Sequence, residues 1–449
     1  MTNKMQSLAK RLISDKLFFN SAVIFFFVMI GNFFNYLFQI SMSRSLSVAD
    51  YGTLNSLLSL LIITGVPAGA LIIFSAKNIS TNLAINDVSG VKKFIKHTLA
   101  RTFLYDCLLL LIFFICIPFL MEFMKVNFYL YYVMVGMAIF LIFPYSFILG
   151  GLQGSRMYLS LGLLSSISSV IRFILAVILV YAGLNVIGAL LSGVISPVII
   201  ILVAVIILFS YLKHKQVAGE TKHGTIDVRY DKENGLKQGT PYFIFIFFIL
   251  FFFTFFTNID LIVVKHFFPT YEVGIYSVAD ILGKIILYFP AAIVLVVFPE
   301  VSHAHATNSN TKHLLLKAIF VTFLMCSFLE MFYILFPDKI ISFLMGVKYI
   351  TSAPLLTLYG LSMFPFAFIN IFINYFMAIN NSKILISMFL FSIMEVGLFY
   401  LFHNSLKEII IFIMITGWLV LFTLSFYAFH EEFALFFNFN KGKPILKTK

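Results

Sequence analysis

Seven charged side chains sit inside long apolar stretches of the chain: Asp106, Arg172, Asp260, Asp280, Lys284, Glu330 and Glu395. A charge held away from water costs free energy unless it is paired or put to use. Two of the seven are cations. The planar guanidinium of Arg172 offers a fork that matches the paired oxygens of a phosphate or carboxylate. Lys284 offers a point charge. Both are candidate contacts to an anionic substrate, and the competing role for each is a structural ion pair. Asp280 stands four residues before Lys284, on the same helical face and in the favourable order, and is placed to neutralise it. The five acids suggest a second chemistry. A carboxylate in a dry setting binds a proton more readily, so Glu395, Asp260 and Asp280 are candidates for exchanging H⁺ or holding Na⁺. Asp260 has a structural alternative, a bond to backbone or to Lys265. Asp106 lies near Arg101 and Lys96, and pairing at an interface is its simpler role.

Those apolar stretches dominate the chain. Of 449 residues, 61% are hydrophobic and 11% charged, and mean hydropathy is +1.02. Soluble domains carry about 25% charged residues. No water-soluble core hides this much apolar surface, so the class is a polytopic all-α membrane protein. Cys107, Cys116 and Cys326 all fall in apolar runs and form no CxxC pair, which reads as small buried hydrophobes. His303, His305 and His313 fall in a polar stretch with no carboxylate or cysteine set to complete a metal site. No GxxxxGK[ST] sequence is present, which argues against ATP hydrolysis by this chain. No cofactor is expected.

A hydrocarbon core of about 30 Å takes about 20 helical residues to cross. On that ruler there are twelve spans: 17–42, 51–76, 98–120, 127–151, 157–182, 185–212, 239–268, 272–300, 313–336, 350–379, 384–402 and 405–429. With the N-terminus on the cytoplasmic side, 23 of the 31 Lys and Arg residues fall on that side. Six fall outside, and Arg172 and Lys284 lie within spans. This bias predicts cytoplasmic termini. It also explains most of the net charge of +12 as attraction to anionic membrane lipid, with no nucleic acid as partner. The longest polar stretch, 213–238, separates six spans from six. The expected organisation is a cytoplasmic segment 1–16, a six-helix bundle 17–212, a cytoplasmic linker 213–238, a second bundle 239–429 and a basic tail 430–449.

The two halves share a phrase. "SRSLSVADYGTLNS" from Ser43 and "FFPTYEVGIYSVAD" from Phe267 each place an acid two residues before a glycine, Asp50 with Gly52 and Glu272 with Gly274. The separation is 222 residues, and each phrase joins the first two spans of its half. "LQGSRMY" from Leu152 and "INNSKIL" from Ile379 likewise join the fourth and fifth spans. Duplication of a six-helix unit accounts for both matches. Six is even, so the copies enter the membrane in the same sense, as parallel repeats around a central cleft. Asp50 and Glu272 read as helix-capping acids and the glycines as close-packing positions.

The pieces "GNFFNYLFQISMSRSLSVADYGTLNSLLSL" from Gly31, "LGGLQGSRMY" from Leu149, "IRFILAVILVYAGLNVIGALLSG" from Ile171 and "NIDLIVVKHFFPTYEVGIYSVAD" from Asn258 carry a resemblance. The chain resembles the polysaccharide transporters of the multidrug/oligosaccharidyl-lipid/polysaccharide exporter (MOP) superfamily, flippases for O-antigen, capsule and related repeat units. The resemblance covers most of residues 15–430. It implies two pseudo-symmetric six-helix bundles in a bacterial cell membrane. It also implies a lipid-linked oligosaccharide on undecaprenyl pyrophosphate as substrate, an ion gradient as driver, and polysaccharide-assembly partners such as a polymerase and a chain-length regulator. Arg172 falls in a span where this family often shows a basic residue, and Asp260 matches the family's "NxD". The excess of intramembrane acids departs from a simple cationic cavity and favours Na⁺ or H⁺ coupling. Two alternatives stay open: a cation-coupled multidrug exporter of the same superfamily, and a membrane polysaccharide polymerase or ligase. The enzyme reading lacks the large external loop with paired Arg or His that such catalysts use, since the stretch from Phe336 to Tyr349 holds neither residue type.

Overall fold

In hydrocarbon each backbone N–H and C=O must be bonded within its own segment, and helices satisfy that demand. The computed structural model is accordingly helical, with no strand among the described residues. It describes residues 16–85, 87–220, 232–290, 311–379, 381–382 and 384–439, with 293, 297 and 301. The expected segment before residue 16, residues 221–231 of the linker, the tail beyond 439, His303, His305, Asn380 and Lys383 lie outside the described residues.

The helices are α1 (Lys16–Ser45), α2 (Val48–Thr64), α3 (Val66–Ala84), α4 (Val88–Met124), α5 (Tyr129–Gly154), α6 (Tyr158–Leu179), α7 (Asn185–Glu220), α8 (Lys232–Phe256), α9 (Ile259–Phe267), α10 (Thr270–Tyr288), α11 (Thr311–Leu335), α12 (Pro337–Leu344), α13 (Ala353–Ala378), α14 (Ile384–Leu401) and α15 (Leu406–Phe439). Nine described helical stretches are long and apolar enough to cross a membrane, and α2 with α3 forms a tenth, bent by 40°. The bend sits at Gly65, with Pro67 in the first turn of α3, where a missing N–H costs nothing. One of the nine stretches, 158–213, contains a reversal. Val180–Leu184 makes a π turn, and Gly183 at φ 91° and Asn185 at φ 44° send α7 back along α6. α10 is excluded from the apolar set by Glu272, Asp280 and Lys284. Counting the reversal and α10 recovers the twelve spans read from the sequence.

Expected span seven is also broken. α8 stops at Phe256, and α9 starts at Ile259. Side chains take over the lost ladder: Thr257 Oγ1 donates to the Phe253 carbonyl at 3.0 Å, and Asn258 Nδ2 to that of Thr254 at 2.9 Å.

By internal contacts the chain forms two compact units. The first holds 1–247, 261–275 and 344–346, and the second holds 248–260, 276–343 and 347–449. In the first unit α1 packs along α6, and α3 and α7 pack on α5. Small residues permit the α1–α6 approach: Gly162 lies under Phe27, and Gly31 faces Ser166 and Ser169. Ile79, Ile95, Phe147, Leu152, Ile200 and Leu208 are buried between α3, α4, α5 and α7. In the second unit α13 is the most buried span, packed by α11 and α15. Lipid-facing surface shows on α4, where Leu104, Leu108, Leu111, Ile112, Ile115 and Phe119 are exposed at helical spacing.

The doubled phrase meets itself inside the first unit. A Cβ added to Gly52 would strike the backbone of Gly274, and one added to Gly274 would fall on the Val48 carbonyl oxygen. Nothing larger than glycine fits at either place without moving backbone. Around this contact Ser43 Oγ donates to Met345 O at 3.3 Å and Arg44 Nε to Leu344 O at 3.2 Å. The His266 ring stacks on Phe123 with centroids 4.1 Å apart. Asp50 caps α2 together with Ser47: the Asp50 N–H donates to Ser47 Oγ at 3.0 Å, and Ser47 Oγ donates back to the Asp50 carboxylate at 2.7 Å.

Candidate functional site

In the first unit, Arg172 lies on α6 beside α1 and α7. Its guanidinium sits over the Phe38 ring, 4.3 Å from the centroid, a cation–π contact that fixes the plane of the fork. Nε is buried and has no hydrogen-bond partner. Arg172 forms no salt bridge among the described residues. It lines a cavity of about 260 Å³ together with Asn35, Tyr145, Ser168, Ser169 and Ser196, and no carboxylate lines that cavity. The structural ion pair weighed for Arg172 is therefore not formed. The arrangement offers one positive fork and a set of neutral hydrogen-bonding groups.

The second unit carries the acids. Asp260, in the first turn of α9, is fully buried. Its Oδ2 accepts from Tyr276 and from Tyr359, both at 2.7 Å, and its Oδ1 has no partner. The Tyr359 hydroxyl also lies 2.6 Å from Asp280 Oδ1. A phenol has one proton to give, so two carboxylates cannot both receive it. A further proton on one of these carboxyls completes the bridge. Lys284 Nζ contacts Asp280 Oδ1 at 2.6 Å and Asn258 Oδ1 at 3.3 Å. Glu395 of α14 is fully buried with both oxygens unpartnered, within electrostatic reach of Asp260. Asp260, Asp280 and Glu395 thus share a single ammonium. With all three ionised, two negative charges would stand uncompensated in a dry site, at a cost of several kcal/mol per ion. Bound protons or a small cation remove that cost. Among the described residues no three His, Cys, Asp or Glu side chains are arranged to hold a metal ion.

The site residues expected from sequence thus divide. Asp260, Asp280, Lys284 and Glu395 come together in one unit, while Arg172 stands in the other. Lys284 is committed to Asp280, the neutralising role weighed above. Asp106 is buried and makes no salt bridge among the described residues. Glu330 is buried with both oxygens unpartnered, one of them against Gly360.

Three contributors escaped the sequence reading. Tyr276 precedes Asp280 by four residues and Lys284 by eight, a one-face spacing on α10 that was there to be seen. Tyr359 carried no such signal. Lys265, counted as an external loop residue, is 2% exposed, and its Nζ donates to Thr53 Oγ1 at 3.3 Å and Thr270 Oγ1 at 3.1 Å.

No protein-family model matches the chain, and no curated protein matches its sequence. Solved structures do match. One is an inward-facing multidrug resistance transporter of the MATE family of the MOP superfamily, at 16% identity and TM-score 0.68 over 92% of this chain and 96% of that one. A second is a MOP superfamily transporter from Pyrococcus furiosus described by the reverse polarity of its binding pocket, at 16% identity and TM-score 0.63 over 93% and 96%. A third is the lipid II flippase MurJ in an inward closed conformation, at 14% identity and TM-score 0.61 over 91% and 87%. Identities this low speak for the fold alone. The chain is a multi-pass membrane protein with the fold of the MOP superfamily transporters.

Proposed function

We propose that the protein is a flippase. It moves undecaprenyl-pyrophosphate-linked oligosaccharide repeat units from the cytoplasmic to the outer leaflet of the bacterial inner membrane, by alternating access coupled to Na⁺ or H⁺. The observation that carries this reading is the unpaired Arg172 in a cavity without a carboxylate. An exporter of cationic drugs needs an acid where its cargo sits, whereas an anionic lipid-linked glycan needs a cation. The buried acids of the second unit are set apart from that cavity in sequence and suit the coupling ion. A multidrug exporter is the second reading, favoured by the likeness to the MATE transporter and by the excess of acids. The termini are taken as cytoplasmic and the bundles as 17–212 and 239–429.

The leaflet that holds the lipid-linked oligosaccharide tests the reading. In cells lacking the protein it is expected to accumulate on the cytoplasmic leaflet, with rescue by wild type. Arg172→Ala is expected to rescue about 10- to 100-fold less well, the worth of a charged hydrogen-bond pair. Normal delivery to the outer leaflet without the protein would sink the proposal and make drug export the reading to test. For coupling, Glu395→Gln keeps the shape and removes the exchangeable proton. It is expected to fold normally and to abolish the response of transport to an imposed pH or Na⁺ gradient in vesicles. An unchanged response removes Glu395 from the coupling path.

A further inference from the structure

We infer that the Arg172 cavity receives one singly charged sugar, the carboxylate of an acidic pyranose, and not the diphosphate of the lipid carrier. This rests on the flippase reading only for where such a sugar comes from.

The argument starts from charge. Arg172 is the only charged residue lining the cavity. A diphosphate linking lipid and sugar brings two negative charges, and one guanidinium leaves the second uncompensated away from water. A carboxylate brings one. Shape agrees. Nε points inward without a partner, and the Phe38 ring holds the guanidinium plane. A planar carboxylate bridges Nε–H and a neighbouring N–H side-on, so that the orphaned donor is satisfied. Size agrees as well. At about 30 Å³ per water, the cavity of about 260 Å³ has the room of roughly nine waters. That is space for one substituted six-membered ring, and it falls below the volume of pockets that take larger ligands. The remaining polar lining, Asn35, Tyr145, Ser168, Ser169 and Ser196, supplies neutral donors and acceptors of the kind that ring hydroxyls require.

The test is thermal unfolding of the purified full-length protein in detergent with D-glucuronate, D-glucose or inorganic pyrophosphate, at matched ionic strength. Glucuronate is expected to raise the Tm of wild type, with glucose and pyrophosphate giving none of that shift. Arg172→Gln is expected to lose the shift. Arg172→Lys, which keeps the charge but not the fork, is expected to retain a fraction of it, and it serves as the second variant should Arg172→Gln fail to fold. A pyrophosphate shift as large as that of glucuronate overturns the inference in favour of the carrier's diphosphate. An equal shift with glucose overturns it in favour of a neutral sugar. No shift with glucuronate, or a shift that survives in Arg172→Gln, overturns it outright. The leaflet assay is independent of these outcomes. Flipping without glucuronate binding leaves the flippase reading standing alone, and Arg172-dependent glucuronate binding without flipping leaves the site standing alone.

Discussion

Lys284→Met is expected to destabilise the protein by about 3–5 kcal/mol, the usual cost of breaking a buried ion pair by removing one partner. The ammonium lies 2.6 Å from Asp280, both side chains are nine-tenths buried, and Asp260 is joined to the same cluster through Tyr359. Without Lys284, the carboxylates face one another across a single phenol. Asp280→Asn combined with Lys284→Met removes both charges and leaves Tyr359 an acceptor. The double variant is expected to recover most of the lost stability, so the coupling between the two changes is large and of rescuing sign. Thermal unfolding of the four proteins in detergent measures it. If the two losses simply add, the ion pair does not carry the cluster.

The second large effect is expected at Gly274. A valine there places its Cβ on the Val48 carbonyl oxygen. Overpacking of a yielding core costs about 1–3 kcal/mol, but here the obstacle is backbone on both sides. Gly274→Val is therefore expected to separate the two copies of the doubled phrase and to undo the neighbouring bonds from Ser43 and Arg44. Ser56 lies one turn beyond Gly52 on α2 and is fully buried. In a protein cleared of Cys107, Cys116 and Cys326, a cysteine replacing Ser56 is expected to resist a water-soluble maleimide. Adding Gly274→Val is expected to open it to labelling. Equal labelling in both backgrounds would show that the glycine contact does not seal this position.

The doubled phrase was legible because its signal is local: acid, spacer, glycine, at matching places in two runs of spans. Its purpose was not. That Gly52 and Gly274 touch depends on a contact spanning 222 residues, and nothing in either phrase announces its partner. Helix existence was equally plain from hydropathy, whereas the breaks at Gly65 and at Thr257–Asn258 were not. Apolar runs continue across them, and side chains repair the backbone. The acid cluster was half readable. Asp280 and Lys284 share a helical face, so their pairing follows from spacing. Asp260, Glu395 and Tyr359 join them only through tertiary packing. Lys265 shows the limit of counting charges by side: a lysine near the end of an apolar run was read as solvated, but two threonine hydroxyls hold it in the interior.

The break between α8 and α9 bears on how the chain enters the bilayer during synthesis. The residues after the break include Asp260 and Lys265, which at central values oppose translocon-mediated entry by about 5–7 kcal/mol together. The stretch before it reads "IFIFFILFFFTFF" from Ile244, with only Thr254 not strongly apolar. Twelve such residues favour entry by about 4–7 kcal/mol on the same scale. The two halves nearly cancel. The phenylalanine run therefore acts as cargo hauler for the polar half that follows, and thinning it to alanine would strand Asp260 and Lys265 outside the membrane before any of their tertiary partners had formed.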